Sequence, residues 1–144
     1  MRRKNITTDK IMTNNERSKK AIEFVLNYER SQNRNPEDVE DVSTNKKHPG
    51  YDIKSGIKLI EVKGVGESWN TYNWQSLYKT ERDCLKKNPN IFYLYIVKYK
   101  NKKSDEVEGL YIIPGAELES KFRIEVETFG IRPISRNSLK EFLQ

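Results

Sequence analysis

The fold of this chain is decided by a stretch that carries two acids, a tight-turn signal and a lysine directly after the second acid. It reads Gly50-Tyr51-Asp52-Ile53-Lys54-Ser55-Gly56-Ile57-Lys58-Leu59-Ile60-Glu61-Val62-Lys63. Apolar, β-prone residues lie on both sides of Ser55-Gly56, which is a plausible two-residue turn. The stretch therefore predicts a β-hairpin with an acid on each strand.

Alternation along the hairpin predicts which of its side chains share a face. Successive residues of a strand point to opposite faces, so Glu61 and Lys63 lie on the same face. A two-residue turn would set Asp52 opposite Leu59 and diagonal to Glu61, whereas a four-residue turn would set Asp52 directly opposite Glu61. Either register brings two carboxylates and one ammonium group together, as in the sites of metal-dependent nucleases.

The Glu-x-Lys pattern alone is weak evidence for such a site. It occurs a second time as Glu119-Ser120-Lys121, in a chain of which 33% is charged. The first copy differs because it lies in an apolar strand directly after an acidic segment. The alternative is a solvated hairpin face whose ion pairs contribute little.

Composition indicates one folded domain that meets a polyanion. The chain has 144 residues, and 27 Lys and Arg against 21 Asp and Glu give a net charge of +6. This length favours a single core, and this sign is typical of proteins that bind nucleic acid. Charge alone does not separate nucleic acid from an acidic membrane surface or from a surface that is merely soluble.

The rare residue types exclude several kinds of site. Cys84 is the single cysteine, so an internal disulfide and a cysteine-based metal cluster are excluded, and we expect Cys84 to be a core residue. His48 is the single histidine, which excludes zinc sites built on several histidines. It lies in a polar segment, and we expect it to be exposed.

The domain organisation follows from patterning along the chain. Residues 1–14 read as a flexible basic arm, and 15–144 as one domain. The start lacks the apolar segment of a signal peptide, and no stretch is long enough to span a membrane. We therefore expect a soluble, intracellular, cytoplasmic protein that does not bind a membrane.

Periodicity and breakers predict the order α, β, β, α, β, β for the core of an α/β fold with a mixed central sheet flanked by helices. The predicted elements are a helix over 15–33 with Asn15 as a possible N-cap, a loop over 34–50, the hairpin, a helix over 74–87, a buried central strand over 91–97, its antiparallel partner over 107–113, a strand over 122–129 and a short helix over 137–142. Glu29 lies on the inward-leaning face of the first helix and is the better of its acids to approach a buried site.

Motifs on both sides of the hairpin carry a family resemblance. In chain order they are Tyr28-Glu29-Arg30, Arg34, Pro36, Asp38-Val39, Gly50-Tyr51-Asp52-Ile53, Ser55, Ile60-Glu61-Val62-Lys63-Gly64, Leu77, Glu81 and Tyr93-Leu94-Tyr95-Ile96-Val97. Together they cover residues 16–115 and resemble the NO VEIN C-terminal domain (the DUF3883 family). The hairpin also resembles the PD-(D/E)XK nuclease superfamily, which implies a restriction-endonuclease-like core. Departures include Asn33 for a glycine, Tyr78 near a usual threonine and Arg82 for an aromatic residue.

The resemblance implies the chemistry of a metal-dependent nuclease. Asp52 and Glu61, with the carbonyl of Val62, would hold Mg²⁺ or Mn²⁺ through oxygen ligands. Lys63 would orient a water and stabilise the phosphoryl transition state. Glu29 would complete the outer ligand shell from the first helix.

Other residues near the expected cleft are predicted to bind substrate. Trp69, Tyr72 and Trp74 would stack on bases or, alternatively, cap the core. Gln75, Tyr78 and Glu81 would contact water, metal or substrate, the alternative for Glu81 being an ordinary surface glutamate. Lys46, Lys47 and Lys79 would contact phosphates.

Three functions remain open from the sequence. The first is an Mg²⁺-dependent deoxyribonuclease, which retention of Asp52, Glu61 and Lys63 together favours. The second is a catalytically silent nucleic-acid-binding or assembly module of a DNA-processing or defence system. The third is a structural interaction domain with no affinity for nucleic acid. Expected partners are DNA and either a larger DNA-processing complex or a second copy of the chain.

Overall fold

The computed structural model describes residues 12–33, 35–66, 75–101, 104–125, 130–133 and 140–144, which form an α/β fold. The helices are α1 (Asn14–Gln32), α2 (Lys79–Lys87) and α3 (Gly115–Lys121), with short 3₁₀ helices at Pro36–Asp38 and Lys140–Phe142. The strands are β1 (Val39–Asp41), β2 (Ile53–Ser55), β3 (Lys58–Val65), β4 (Gln75–Ser76), β5 (Phe92–Tyr99), β6 (Val107–Pro114), β7 (Phe122–Glu125) and β8 (Gly130–Pro133). Within these ranges, no helix has the length and apolar character that a membrane crossing requires.

The main sheet is mixed and has the order β1-β2-β3-β5-β6. The central pair, β3 and β5, is parallel, and the other neighbours are antiparallel. A separate sheet has the order β4-β8-β7. The mixed sheet with its helices confirms the predicted α/β fold and is consistent with a restriction-endonuclease-like core.

Helices cover both faces of the main sheet, and the apolar side chains on both faces of β5 are buried beneath them. Leu94 and Ile96 belong to a core cluster that includes Leu85 of α2. Tyr95 belongs to a second cluster, which includes Val25 of α1. The sheet is therefore a layer between α1 on one side and α2 with α3 on the other. The prediction of a central strand buried on both faces is confirmed.

The hairpin register determines how its acids are placed. In the antiparallel β2–β3 pair Ile53 lies opposite Ile60, and the two-residue turn is Gly56-Ile57. Continued by one residue, this register sets Asp52 opposite Glu61, and the Asp52 N–H donates to the Ile60 carbonyl at 2.8 Å. The direct opposition of the two acids is therefore the register that the structure has.

The predicted turn at Ser55-Gly56 is wrong by one residue. Ser55 still pairs with Lys58, and its buried hydroxyl donates to a carboxylate of α1. That buried hydrogen bond extends β2 to Ser55, and Gly56, with φ of 59°, begins the turn. A turn one residue earlier would have placed Asp52 out of line with Glu61.

The first helix begins before its predicted N-cap. Thr13 is the N-cap, and it forms a reciprocal capping box with Glu16. Met12 is buried in the α1 side of the core. Residues 12–14 of the predicted arm therefore belong to the folded part, and the rest of that arm lies outside the described residues.

Several other boundaries differ from the prediction. The predicted loop over 34–50 contains β1, whose three residues bury only Val39 and so give no periodic signal. The second helix begins at Lys79, because Tyr78 in extended backbone conformation is its N-cap. Helix α3 directly follows Pro114, where only a stop was expected. The predicted antiparallel partner of the central strand is confirmed as β6, and the strand predicted over 122–129 is observed as β7 up to Glu125.

Gly50 is the position where backbone conformation and close packing both require glycine. Its φ is +95°, and a Cβ there would lie 2.4 Å from the Thr80 carbonyl oxygen and 2.8 Å from the Cys84 Cβ. We expect Gly50→Ala to lower the free energy of unfolding by about 2–5 kcal/mol, the sum of left-handed strain and overpacking. Urea unfolding followed by circular dichroism measures this loss.

Gly56→Ala is the matched control for this substitution. Gly56 also has a positive φ, +59°, but no atom lies within 4 Å of the Cβ position. Gly56→Ala should lower the free energy of unfolding by the backbone strain alone, about 1–2 kcal/mol. Equal losses for the two variants would show that the contact of the Gly50 loop with α2 is not tight.

Candidate functional site

Glu61 and Lys63 project from β3 toward α2. In the parallel ladder they lie beside Leu94 and Ile96, which belong to the core cluster on the α2 side. Alternation along β3 turns Val62 to the α1 side. A cleft of about 470 Å³ lies here, lined by β3, the start of α2 and the loop before β2, and bordered by Ser18 and Ile22 of α1. The face predicted for Glu61 and Lys63 is therefore the face that lines a cleft.

The Asp52 carboxylate is held from two directions. The Val62 N–H donates to Oδ2 at 2.9 Å, and His48 Nε2 lies 3.2 Å from Oδ1. The Gly50 N–H lies 3.2 Å from His48 Nδ1 and can only donate to it. In the neutral ring the hydrogen is therefore on Nε2, which donates it to Asp52. The carboxylate is oriented at the edge of the cleft.

Glu61 is the unusual group of the site because it is a buried carboxylate with an unpaired oxygen. The residue is 2% exposed. Its Oε2 accepts from Lys63 at 3.0 Å, but Oε1 has no hydrogen-bond partner among the described residues. Burial raises the Glu61 pKa well above its ordinary value, and the charges of Asp52 and Glu81 raise it further against the opposing effect of Lys63.

Lys63 lies between two carboxylates. Its Nζ is 3.0 Å from Glu61 Oε2 and 3.2 Å from Glu81 Oε1. Burial alone would lower the Lys63 pKa, but the carboxylates of Glu61 and Glu81 outweigh it, and the pKa is raised. Lys63 is therefore charged at neutral pH.

Glu81 holds Lys63 from the first turn of α2. Its Oε1 also accepts the Tyr78 N–H at 3.0 Å, so one carboxylate caps the helix and holds the lysine. Glu81 is buried, which makes the alternative of an ordinary surface glutamate wrong. It joins the site because α2 begins at the cleft.

The acids of the cleft fit a divalent cation. His48, Asp52 and Glu61 each offer one ligand atom within 4.8 Å of the others. The unpaired Oε1 of Glu61 supplies a vacant acceptor. Because His48 Nε2 donates to Asp52, the oxygens that could bind a cation directly are the carboxylate oxygens of Asp52 and Glu61. With Glu81, the cleft holds three carboxylates and one ammonium group, so the cluster with every group ionised carries two excess negative charges. Oxygen donors of this kind suit Mg²⁺ or Mn²⁺.

Glu29 is not brought together with these acids. It lies on the α1 side of the sheet, where its carboxylate accepts from Lys58 at 2.7 Å, Ser55 at 2.8 Å and Tyr95 at 2.5 Å. Burial raises the Glu29 pKa, but these hydrogen bonds outweigh burial and the net pKa is lowered. The predicted outer-shell role is not supported by this placement, because Glu61 points to the opposite face.

The remaining predicted residues divide between the cleft edge and regions away from it. Val62 lines the cleft, and Tyr78 lies at its mouth. Lys46 and Lys47 are exposed in the loop that leads to His48, and Lys79 is exposed and pairs with Asp83 at 2.8 Å. Gln75 lies in β4, opposite Ile131. Trp69, Tyr72 and Trp74 lie outside the described residues.

His48 is the cleft residue that sequence reasoning missed. It was expected to be exposed, but its side chain is 30% exposed and contacts Asp52. The available signal was its position four residues before Asp52, with Pro49-Gly50 between them as a turn. A turn over so few residues brings the side chains of His48 and Asp52 close together.

One family match accompanies this geometry. A family model described as Protein NO VEIN, C-terminal, matches residues 17–112, about two thirds of the chain. The match spans every cleft residue described above. No curated protein sequence matches the chain.

We expect Glu29→Gln to lower stability without weakening metal binding. The neutral amide leaves Lys58 without its charge partner, at a cost of about 2–4 kcal/mol at pH 7. Because the folded pKa of Glu29 is lowered, the difference from wild type should shrink as the pH falls below the ordinary value of 4.5. Urea unfolding between pH 7 and pH 4 measures the stability, and isothermal titration measures Mn²⁺ affinity, which should change less than about twofold.

Glu23→Gln, on the exposed side of the same helix, is the control for this change. It should alter stability by less than about 0.5 kcal/mol. A large loss of Mn²⁺ affinity in Glu29→Gln alone would make Glu29 a ligand and contradict its placement on the α1 side of the sheet.

The opposite effect on stability is expected for Glu61→Gln. Because the pKa of Glu61 is raised in the folded state, its ionisation destabilises the fold. This loss of stability is absent when the pH lies below the ordinary pKa of 4.5, and it grows as the pH rises above that value. In EDTA at pH 7.5 the variant should be about 1–3 kcal/mol more stable than wild type, with the advantage lost near pH 4. Urea unfolding measures both.

The same variant should lose its response to metal. Mn²⁺ should raise the melting temperature of the wild type, since binding to the folded state stabilises it, and should leave Glu61→Gln unchanged. A variant that is less stable than wild type in EDTA at pH 7.5 would show that the Glu61 carboxylate is satisfied without a cation.

Proposed function

The chain belongs to the NO VEIN C-terminal family, and we propose that in this member the cleft is the active site of a metal-dependent nuclease. The proposed reaction is hydrolysis of DNA phosphodiester bonds at a PD-(D/E)XK-type site. Asp52 and Glu61 would hold the metal, and Lys63 would act on the phosphate and the attacking water.

One observation carries the proposal: a buried carboxylate with an unpaired oxygen faces a second carboxylate and a charged lysine. A solvated hairpin face with incidental ion pairs, the bland alternative, would not bury Glu61 to 2% exposure or leave Oε1 unpaired. Buried charge is costly unless a partner compensates it. A cation that takes the free oxygen supplies that compensation.

The protein groups divide the chemistry among them. A bound divalent ion supplies Lewis acidity, which neutralises charge on the phosphate and lowers the pKa of a water. Lys63 is charged and largely enclosed, and so presents a fixed positive charge where negative charge develops in the transition state. His48 and the Val62 N–H orient Asp52, and Glu81 orients Lys63.

DNA is the proposed substrate because the chain carries a net positive charge, which attracts a polyanion. The net charge is +6 although the cleft itself is acidic. Lys46 and Lys47 are exposed and directly precede His48, which lines the cleft. Phosphate contacts of this kind position a nucleic acid without reading its sequence.

A catalytically silent binding or assembly module is the second candidate. The observation that favours it is that Lys63 already has two carboxylate partners at 3.0 and 3.2 Å. With both partners in place, the Lys63 ammonium group is satisfied without a substrate phosphate. In that case the positive surface binds nucleic acid and the cleft does no chemistry.

Cleavage assays separate these candidates. We expect the wild-type chain to cut plasmid, linear or single-stranded DNA in Mg²⁺ or Mn²⁺ and to be inactive in EDTA. Asp52→Asn and Lys63→Ala should each lower the cleavage rate by at least about 100-fold, since each removes a group that acts on the transition state. Lys63→Ala should retain Mn²⁺ binding, because it removes only positive charge.

The controls remove the same charges elsewhere. Lys100→Ala breaks the surface pair with Glu106, and Asp105→Asn breaks that with Lys20. Both should cleave at the wild-type rate. Cleavage that persists in Asp52→Asn and Lys63→Ala would eliminate the proposed site, and salt-sensitive binding without cleavage would favour the silent module.

A further inference from the structure

Tyr78 is an exposed aromatic ring at the mouth of the cleft. Its relative exposure is 68%, and it is the only mainly exposed aromatic ring among the side chains that the structure describes. The ring lines the cleft together with Lys63 and Glu61. It therefore borders the place proposed for the phosphate.

The ring lies beside the lysine of the site. Its backbone is extended at the N-cap of α2, and its N–H donates to Glu81 Oε1 at 3.0 Å. The Lys63 Nζ lies 5.4 Å from the ring centroid, within cation–π range. An aromatic face thus adjoins the ammonium group that would meet the phosphate.

A ring in this position discriminates between paired and unpaired nucleotides. In a duplex each base is stacked on its neighbours and paired, so its flat face is not available beside its own phosphate. An unpaired base can turn its face to an aromatic side chain, and stacking of this kind tolerates any sequence. In a duplex, the ring can contact only the sugar-phosphate backbone.

We propose that Tyr78 stacks on an unpaired base next to the phosphate bound in the cleft, so that the site takes single-stranded nucleic acid or an unpaired segment of a duplex. This substrate class rests on the proposed function for the place of the phosphate. The stacking itself is a binding event and can be measured without catalysis.

Binding is tested in Ca²⁺, a cation that carboxylate oxygens also bind, with an oligonucleotide that contains 2-aminopurine, free as a single strand and annealed as a full duplex. The wild type should bind the single strand more tightly and quench its fluorescence. Tyr78→Ala should weaken single-strand binding by roughly tenfold or more and abolish the quenching, while duplex binding changes by less than about twofold. Tyr78→Phe and Tyr78→Trp should retain both signals, since the face of the ring and not the hydroxyl makes the contact.

The control is Ile57→Ala, which removes a side chain that is 76% exposed at the hairpin tip. It should leave the binding of both the single strand and the duplex unchanged. Equal weakening of single-strand and duplex binding by Tyr78→Ala would overturn the inference, and so would unchanged single-strand binding. Failure of Tyr78→Trp to retain the quenching would overturn it as well.

Cleavage separates this inference from the proposed function. If the wild type cleaves DNA and Tyr78→Ala cuts single strands and duplexes in the same ratio as wild type, the nuclease stands and the single-strand inference falls. If no metal supports cleavage but Tyr78→Ala selectively loses single-strand binding and quenching, the nuclease falls and the stacking contact stands.

Discussion

The cost of burying the Glu61 carboxylate is the constraint on which the rest of the site depends. Glu61 lies in the parallel β3–β5 ladder beside Leu94, on a face that is otherwise core. Taking an ionised carboxylate out of water is costly. The carboxylate must therefore either take up a proton or have a positive charge nearby. Lys63 supplies part of that charge, two residues along the same strand and therefore on the same face.

A second buried carboxylate shows what full compensation looks like. Glu29 is as buried as Glu61, but three donors from β2, β3 and β5 occupy its oxygens. Its pKa is lowered, whereas the pKa of Glu61 is raised. One sheet thus carries a satisfied acid on one face and an unsatisfied acid on the other. The satisfied acid ties α1 to the hairpin, and the unsatisfied acid retains capacity for a ligand.

The sequence predicted the parts of this arrangement that depend on local periodicity. Alternation placed Glu61 and Lys63 on one face, and the long apolar run of β5 marked the centre of the sheet. The hairpin register could not be chosen from sequence, because it depends on a buried hydrogen bond between Ser55 and Glu29, which lie 26 positions apart. The face reached by Glu29 is likewise set by the packing of α1 on the sheet, which helical spacing does not encode. His48 was missed because its contact with Asp52 depends on a loop conformation held by Gly50.

The charged groups of the cleft are held by several elements of the fold. Asp52 is held by the β3 backbone and by His48 from the preceding loop, and Lys63 by Glu81 at the start of α2. Glu81 is itself held by the helix N-cap through the Tyr78 N–H. If Glu61 turns its charge toward a cation, Lys63 keeps a carboxylate partner in Glu81 and stays both charged and positioned. The two acids that flank Lys63 therefore differ: Glu61 could turn to a ligand, while Glu81 would keep the lysine in place.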